Sequence, residues 1–257
     1  MPIETESEIT DDAVLGGRLR LLQPRRGHRI GHDAILLAAA TRARAGETAV
    51  DFGAGVGAAG LALARRVPDL SVKLVEIDPG LARLAAENIR RNGLAARAQA
   101  VALDITAPAG AFAAAGLPAD SADRVLMNPP FNDPERHRGS PDPGRRQAHL
   151  EEGETLAAWT RAAARLLRPH GVLTMIVRAD AIVRVLAALE PGFGGLAILP
   201  IHPNAAAAAI RVIVRAAKGS RAPVRLLPGL VLNDRDGPTP AAEAVLRDGA
   251  ALPLEED

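Results

Sequence analysis

Thr48-Ala49-Val50-Asp51-Phe52-Gly53-Ala54-Gly55-Val56-Gly57 is the stretch that decides the fold of this chain. The first five residues read as a buried strand, the glycines end it, and a helix is expected from about Ala58 to Arg66. The alternation continues outward. Val72 to Ile77 reads as a strand and Pro79 to Asn92 as a helix, with Pro79 near its first turn and Gly93 just past its end. Ala98 to Leu103 and Arg124 to Met127 read as further strands, and Glu154 to Leu167 as a helix. Val172 to Val177 is a strand, Asp180 to Leu189 a helix, and Leu196 to Ile201 with Ile210 to Arg215 a closing pair of strands. Such alternation predicts an α/β fold with a mostly parallel sheet and helices on both faces.

Composition sets the outer bounds. The chain has 257 residues, 48% of them hydrophobic, and a formal charge of +1. That supports one sizeable core and carries no global commitment to nucleic acid, although a local basic face is compatible with it. Cysteine is absent, which removes disulfides, thiolate metal sites and thiol nucleophiles. No apolar run reaches the roughly 18 residues that span a bilayer. The acidic Met1–Asp12 stretch does not read as a signal peptide, so a soluble cytoplasmic protein is expected. His28, His32, His149, His170 and His202 show no ligand spacing with acids, and no metal is expected. Trp159 reads as core. Residues 1–45 read as an N-terminal extension with a helix (Ala34 to Ala43, Asp33 as N-cap) that contributes to the site, and 46–257 as one globular unit. Asp133 to Gln147, with three prolines and two glycines, reads as a long surface loop.

The strand ends carry the chemistry. Gly53, Ala54, Gly55 and Gly57 allow tight turning and close backbone approach to a ligand. Glu76 ends the next strand, where an acid can accept both hydroxyls of a ribose. Asp104 ends the third and can read an adenine amino group. Gly55 to Gly60 also fits the dinucleotide pattern G-x-G-x-x-G, and a purely structural glycine turn fits as well. Two features favour S-adenosylmethionine: Asp51 repels a pyrophosphate but can hold an ammonium, and the segment after the fourth strand faces the same crevice.

That segment is Asn128-Pro129-Pro130-Phe131. Each proline fixes its φ and lacks an N–H, and the residue before each proline is pushed to extended backbone. The result is a stiff edge of carbonyl acceptors, joined by the Asn128 side-chain oxygen. Phe131 adds a flat apolar face. Two acceptors beside an aromatic plate suit a flat substrate with an exocyclic amine, such as a nucleobase.

With these motifs in this order, the chain resembles the Rossmann-like class I S-adenosylmethionine-dependent methyltransferases, and most closely the bacterial tRNA(Val) adenine-N6 methyltransferases. Gln23 to Arg29, Asp33 to Ala38, Val177 to Asp180, Pro200 to Pro203 and Pro228 to Leu232 are similar to further stretches of that family. His28 departs from it where tyrosine is usual, and Ala205 to Ala209 replace a more polar stretch. The resemblance implies a seven-stranded sheet with an antiparallel strand near the C-terminus. It implies methyl transfer to the N6 amine of a tRNA adenine beside the anticodon, leaving S-adenosyl-L-homocysteine. Asn128, Pro129, Pro130 and Phe131 are then catalytic. Asp33, Asp51, Gly53, Ala54, Gly55, Gly57, Glu76, Ile77, Asp104 and Ile105 bind the cofactor. Arg25, Arg26, Arg29, Arg136, Arg138, Arg145 and Arg146 are candidates for RNA phosphate contacts.

Rival readings share part of this pattern. Guanine-N2 methyltransferases of ribosomal RNA and protein glutamine methyltransferases carry the same tetrapeptide. The glutamine enzymes usually add an N-terminal helical substrate domain, for which about 45 residues leave little room. A noncatalytic cofactor-binding protein and a nicotinamide dehydrogenase are the readings from other classes.

Overall fold

The computed structural model describes residues 8–26, 29–130 and 143–252, with residues 143–152 described in backbone only. Strands β1 (Ile9–Val14) and β2 (Leu19–Pro24) form an antiparallel hairpin, and helix α1 (His32–Ala40) follows. Then come β3 (Thr48–Phe52), α2 (Ala58–Arg66), β4 (Ser71–Glu76), α3 (Pro79–Arg91), β5 (Ala98–Ala102), α4 (Ala109–Ala114) and β6 (Ala122–Met127). The second half contains α5 (Pro143–Leu166), β7 (Leu167–Arg178), α6 (Ile182–Leu189), β8 (Phe193–Asn204), β9 (Arg211–Lys218), β10 (Arg225–Leu226), β11 (Leu230–Asn233) and α7 (Pro240–Leu246).

Among the described residues the main sheet has nine strands, in the order β10-β8-β9-β7-β6-β3-β4-β5, with β11 also on the outer edge of β8. Strand β9 runs antiparallel between β7 and β8, and the other pairs are parallel. The expected seven strands are therefore present, and β10 and β11 are additions on the edge. Chain order reverses beside β3, whose neighbours are β4 and β6. A crevice opens at the carboxyl ends of the strands there, where open α/β sheets take ligands.

The period of two along β3 assigns its side chains. Ala49 joins the core under α1, α2 and α3, with Leu36, Leu61, Leu74 and Ile89. Val50 and Phe52 join the opposite core under α4, α5 and α6, with Phe112, Trp159, Leu166 and Val185. Asp51 shares the α2 side with Ala49. Trp159 meets Phe52 edge to face with ring centroids 6.5 Å apart, so this lone tryptophan is core, as its amphipathic setting predicts.

Several boundaries differ from expectation. Helix α1 starts at His32 with Gly31 as N-cap and no side-chain cap, so Asp33 lies in the first turn and is not the cap. Helix α3 has a cap that pattern reading overlooked: Asp78 Oδ1 accepts from the N–H groups of Gly80 and Leu81, ahead of Pro79 at the first position. Helix α5 begins at Pro143, so the last five residues assigned to the Asp133–Gln147 loop are helical, and the preceding ones lie outside the described residues.

Candidate active site

The first wall of the crevice is the turn after β3. Gly53 has φ +67°, and a Cβ there would stand 2.6 Å from Trp159 Cη2. Both the backbone and the space therefore demand glycine. Gly55 has φ +57° with open space around it, so its demand is backbone alone. Gly57 is also left-handed, with φ +92°. Ala54 N–H donates to Val75 O at 3.0 Å, which pins the turn to β4.

Two carboxylates stand on adjacent strands with different surroundings. Glu76 is nearly buried; its Oε2 accepts from Gly55 N at 2.7 Å and its Oε1 from Asp78 N at 2.9 Å. Asp51 is also buried, yet its Oδ2 accepts only from Gly60 N, at 2.8 Å. Oδ1 has no hydrogen bond among the described residues. Burial raises the Asp51 carboxyl to about 7; the Gly60 N–H opposes this and the nearby Glu76 charge adds to it.

A cavity of about 190 Å3 is lined by Asp51, Gly53, Ala54 and Gly55 together with Arg29, Ile30, Gly31 and Asp33. Asn128, the residue after β6, lines it too. Asn128 is half-buried, Pro129 buried and Pro130 exposed. The structure thus brings together the glycine turn, Asp51, Asp33 and the start of the tetrapeptide, elements that sequence places up to 95 positions apart.

The other expected residues spread along the same edge. Ile77 is 65% exposed just past Glu76, an apolar surface offered to solvent. Asp104 lies two residues beyond the end of β5 and is exposed; its Oδ1 accepts from the Thr106 N–H and hydroxyl, both at 2.8 Å. Ile105 is core, packed with Phe112 and Val125. Asp33 is ion-paired with Arg211 at the start of β9, Nε to Oδ2 2.8 Å. Arg25 and Arg26 are exposed beyond β2. Phe131, Arg136 and Arg138 lie outside the described residues, and Arg145 and Arg146 lie on α5 where only the backbone is described.

Sequence reading missed the second wall's supports. Gln23, 3% exposed, receives the Ile30 N–H on its Oε1 at 2.9 Å. Asn88, fully buried on α3, receives Leu22 N–H on Oδ1 at 2.7 Å and donates through Nδ2 to Leu22 O and Val56 O, both at 3.0 Å. A buried amide within the amphipathic pattern of α3 was the available signal. Among the described residues no group of three or more His, Asp or Glu assembles as a metal site, and no helix is long and apolar enough to cross a membrane.

A sheet of this order, with its antiparallel β9, a glycine turn after β3 and an acid at the end of β4, defines the class I methyltransferase fold. The chain belongs to the methyltransferase small domain family, whose sequence profile matches residues 29–200. A crystal structure described as a predicted O-methyltransferase from Agrobacterium tumefaciens is 30% identical, covers 86% of this chain and 98% of its own, and superposes with a TM-score of 0.73. A tRNA1(Val) (adenine(37)-N6)-methyltransferase of Bacteroides fragilis is 30% identical over 154 residues, 60% of this chain and 61% of the relative. A release factor glutamine methyltransferase of Moorella thermoacetica is 33% identical over 139 residues, 52% of this chain and 46% of the relative. The chain therefore spans about three fifths of the first curated relative's length and under half of the second's.

S-adenosyl-L-methionine is the cofactor of this class, and the residues fit it. Gly55 lines the cavity with open space around it, so no side chain occupies that place. Asp51 lines the cavity and has one carboxylate oxygen without a hydrogen bond among the described residues, as an ammonium requires. Glu76 has used one lone pair on each oxygen, and an ionised carboxylate has about four acceptor sites, so two remain for vicinal hydroxyls.

Proposed function

We propose that this protein is an S-adenosylmethionine-dependent N-methyltransferase acting on the N6 amine of an adenine in tRNA, next to the anticodon. One observation carries the reading: Asn128, which opens the tetrapeptide, lines the same cavity as Asp51 and the glycine turn. An amine bound by Asn128 is thereby adjacent to the place where the cofactor's reactive end is expected. Bound there, the cofactor supplies an electrophilic methyl group.

The chain's own residues then have to bind and orient the amine. The Asn128 side-chain oxygen and the Pro129 carbonyl accept its two hydrogens, which turns the nitrogen lone pair toward the cavity. The same two acceptors stabilise positive charge as nitrogen becomes cationic. The target base leaves its stack to reach the crevice, and Phe131 is the residue assigned to stack on it. No general base is required, since the methylated ammonium is acidic enough to lose its proton to water. Catalysis rests on positioning and preorganised acceptors. Arg25, Arg26, Arg136, Arg138, Arg145 and Arg146 are assigned to RNA phosphates, which makes binding steeply salt-dependent.

The adenine and tRNA assignments are supported by the flanking signatures from Gln23 to Ala38 and by the likeness to the Bacteroides fragilis relative. The likeness to a release factor glutamine methyltransferase supports a second reading, in which the same acceptors hold a glutamine amide. Labelled S-adenosylmethionine incubated with separate pools of unmodified tRNA, ribosomal RNA and release factor decides between them. N6-methyladenosine confined to tRNA is the expected product, while label in protein or ribosomal RNA overturns the substrate assignment. Asn128→Ala should lower single-turnover methylation about 100-fold, the scale of one lost charge-stabilising group.

A further inference from the structure

Arg29 reads from sequence as one of several arginines beside the crevice. In the fold it lines the cavity itself, together with the glycine turn, and is the cationic side chain among the described lining residues. The two acids of that lining differ. Asp33 already has Arg211 as its partner, whereas Asp51 has no cation among the described residues. A ligand that fills this space meets an acid without a cation and an arginine whose Nε is unused among the described residues, and a zwitterionic amino acid offers a group to each.

Arg29 is also held in place. Its Nη2 donates to Asp12 Oδ2 at 2.9 Å, and Nη1 makes long bonds of 3.4 Å to the carbonyls of Pro24 and Arg25. Its Nε has no hydrogen bond among the described residues. Asp12 Oδ2 is a hub that also accepts from Thr10 Oγ1 and Gln23 Nε2, both at 2.6 Å. Those two donors, with Arg29, hold the Asp12 carboxyl below its usual range, so it stays ionised as the arginine's counterion. The Gln23 amide spends both ends on this wall: Nε2 on Asp12 and Oε1 on Ile30 N–H. A nearly buried amide with both its nitrogen and its oxygen engaged is a device for fixing orientation.

We propose that Arg29 binds the α-carboxylate of the cofactor's methionine moiety, opposite Asp51, and that Gln23 and Asp12 are its positioning residues. This rests on the S-adenosylmethionine reading above. An RNA phosphodiester is the poorer partner, because it would bring an anion beside Asp51 without answering that acid's need for a cation.

The test is calorimetry with two ligands, S-adenosylhomocysteine and 5′-methylthioadenosine, which shares the adenosine and thioether but lacks the amino-acid end. Arg29→Ala should weaken S-adenosylhomocysteine about thirtyfold, the worth of one charge-assisted hydrogen bond, and change methylthioadenosine less than about twofold. Gln23→Glu keeps the acceptor for Ile30 N–H but sets an anion against Asp12, so it should show the same ligand selectivity with a smaller loss. Equal losses for both ligands would make Arg29 a merely structural part of the wall and overturn the assignment. Loss of tRNA affinity and of its salt slope, with both small ligands unaffected, overturns it in favour of a phosphate contact. Failure of the unmutated protein to bind either ligand is a different result and removes the cofactor reading itself.

Discussion

The two walls of the crevice are built by different means. The Gly53–Gly57 wall is a matter of backbone: left-handed φ values and a glycine pressed against Trp159 produce it. The Arg29–Gly31 wall has no such local cause. It is held from outside by a hairpin whose last strand reaches both walls, through Gln23 to Ile30 and through Asn88 to Val56. A turn specified by φ tolerates change around it but not within it. A wall specified by side-chain amides depends on residues that never touch the ligand.

The strongest way to break this contrast is to substitute within the backbone wall. Gly53→Ala combines a left-handed alanine with an overpacked Trp159 and should lower the unfolding free energy in urea by about 3 kcal/mol. Gly55→Ala has the strain without the clash and should cost only about 1 kcal/mol. Equal effects at the two positions would mean that Trp159 yields freely.

On the amide-held wall, Asn88→Ala leaves Leu22 N–H, Leu22 O and Val56 O without their partner. It should cost about 2 kcal/mol by the same measurement, with weaker S-adenosylhomocysteine binding. A loss of stability with cofactor affinity intact would uncouple the hairpin from the crevice.

Asp51 sharpens the comparison through pH. Its folded carboxyl sits near 7 against an ordinary 3.8, because burial penalises the charged form. Without ligand, the stability this group contributes is present below its ordinary value and is lost as pH rises toward 7. A bound ammonium favours the ionised form, so the sign reverses for binding. S-adenosylhomocysteine affinity should be flat from about pH 7 up to the range where the ligand's own ammonium loses its proton, and fall at most about tenfold per unit below pH 7. Asp51→Asn should abolish that slope; a slope that survives in the variant assigns it to another group. The smallest effect belongs to Ile77, which is exposed and carries no fold. Ile77→Ser should weaken the same ligand about fourfold, the worth of one buried methylene, with unchanged urea unfolding.

Much of the sheet was readable because strands buried on both faces leave apolar runs between glycine and proline punctuation. Strand β3 and helix α2 have the limits expected for them, β4 is shifted by one residue at both ends, and β5 and β6 differ by one and two residues at one end. The β1–β2 hairpin went unread because Asp11 and Asp12 interrupt the apolar pattern of β1 and the hairpin's helical partners lie 66 and 72 residues away. Asn88 and Asn92 on α3 bond to the backbone of Leu22 and Arg20 in β2, so a helix supplies what a neighbouring strand would. Strands β10 and β11 are two and four residues long, too short for a period of two to register. Asp33 reads as a cap from its position before an apolar run, but its carboxylate is taken by Arg211, 178 residues away.

By itself, then, the sequence determined the features whose causes lie within a few residues: the alternation of elements, the glycine turn after β3, the acids at strand ends and the stiff acceptor edge at Asn128. Local sterics and periodicity act over that range, so they can be read from a string. Only the tertiary structure decided which charges share a cavity. It put Arg29 and Asp51 on one cavity, gave Asp51 a single N–H among the described residues where Glu76 has two, and made Gln23 and Asn88 supports of its lining. Burial and long-range hydrogen bonding set those properties, and both depend on partners that only folding brings together.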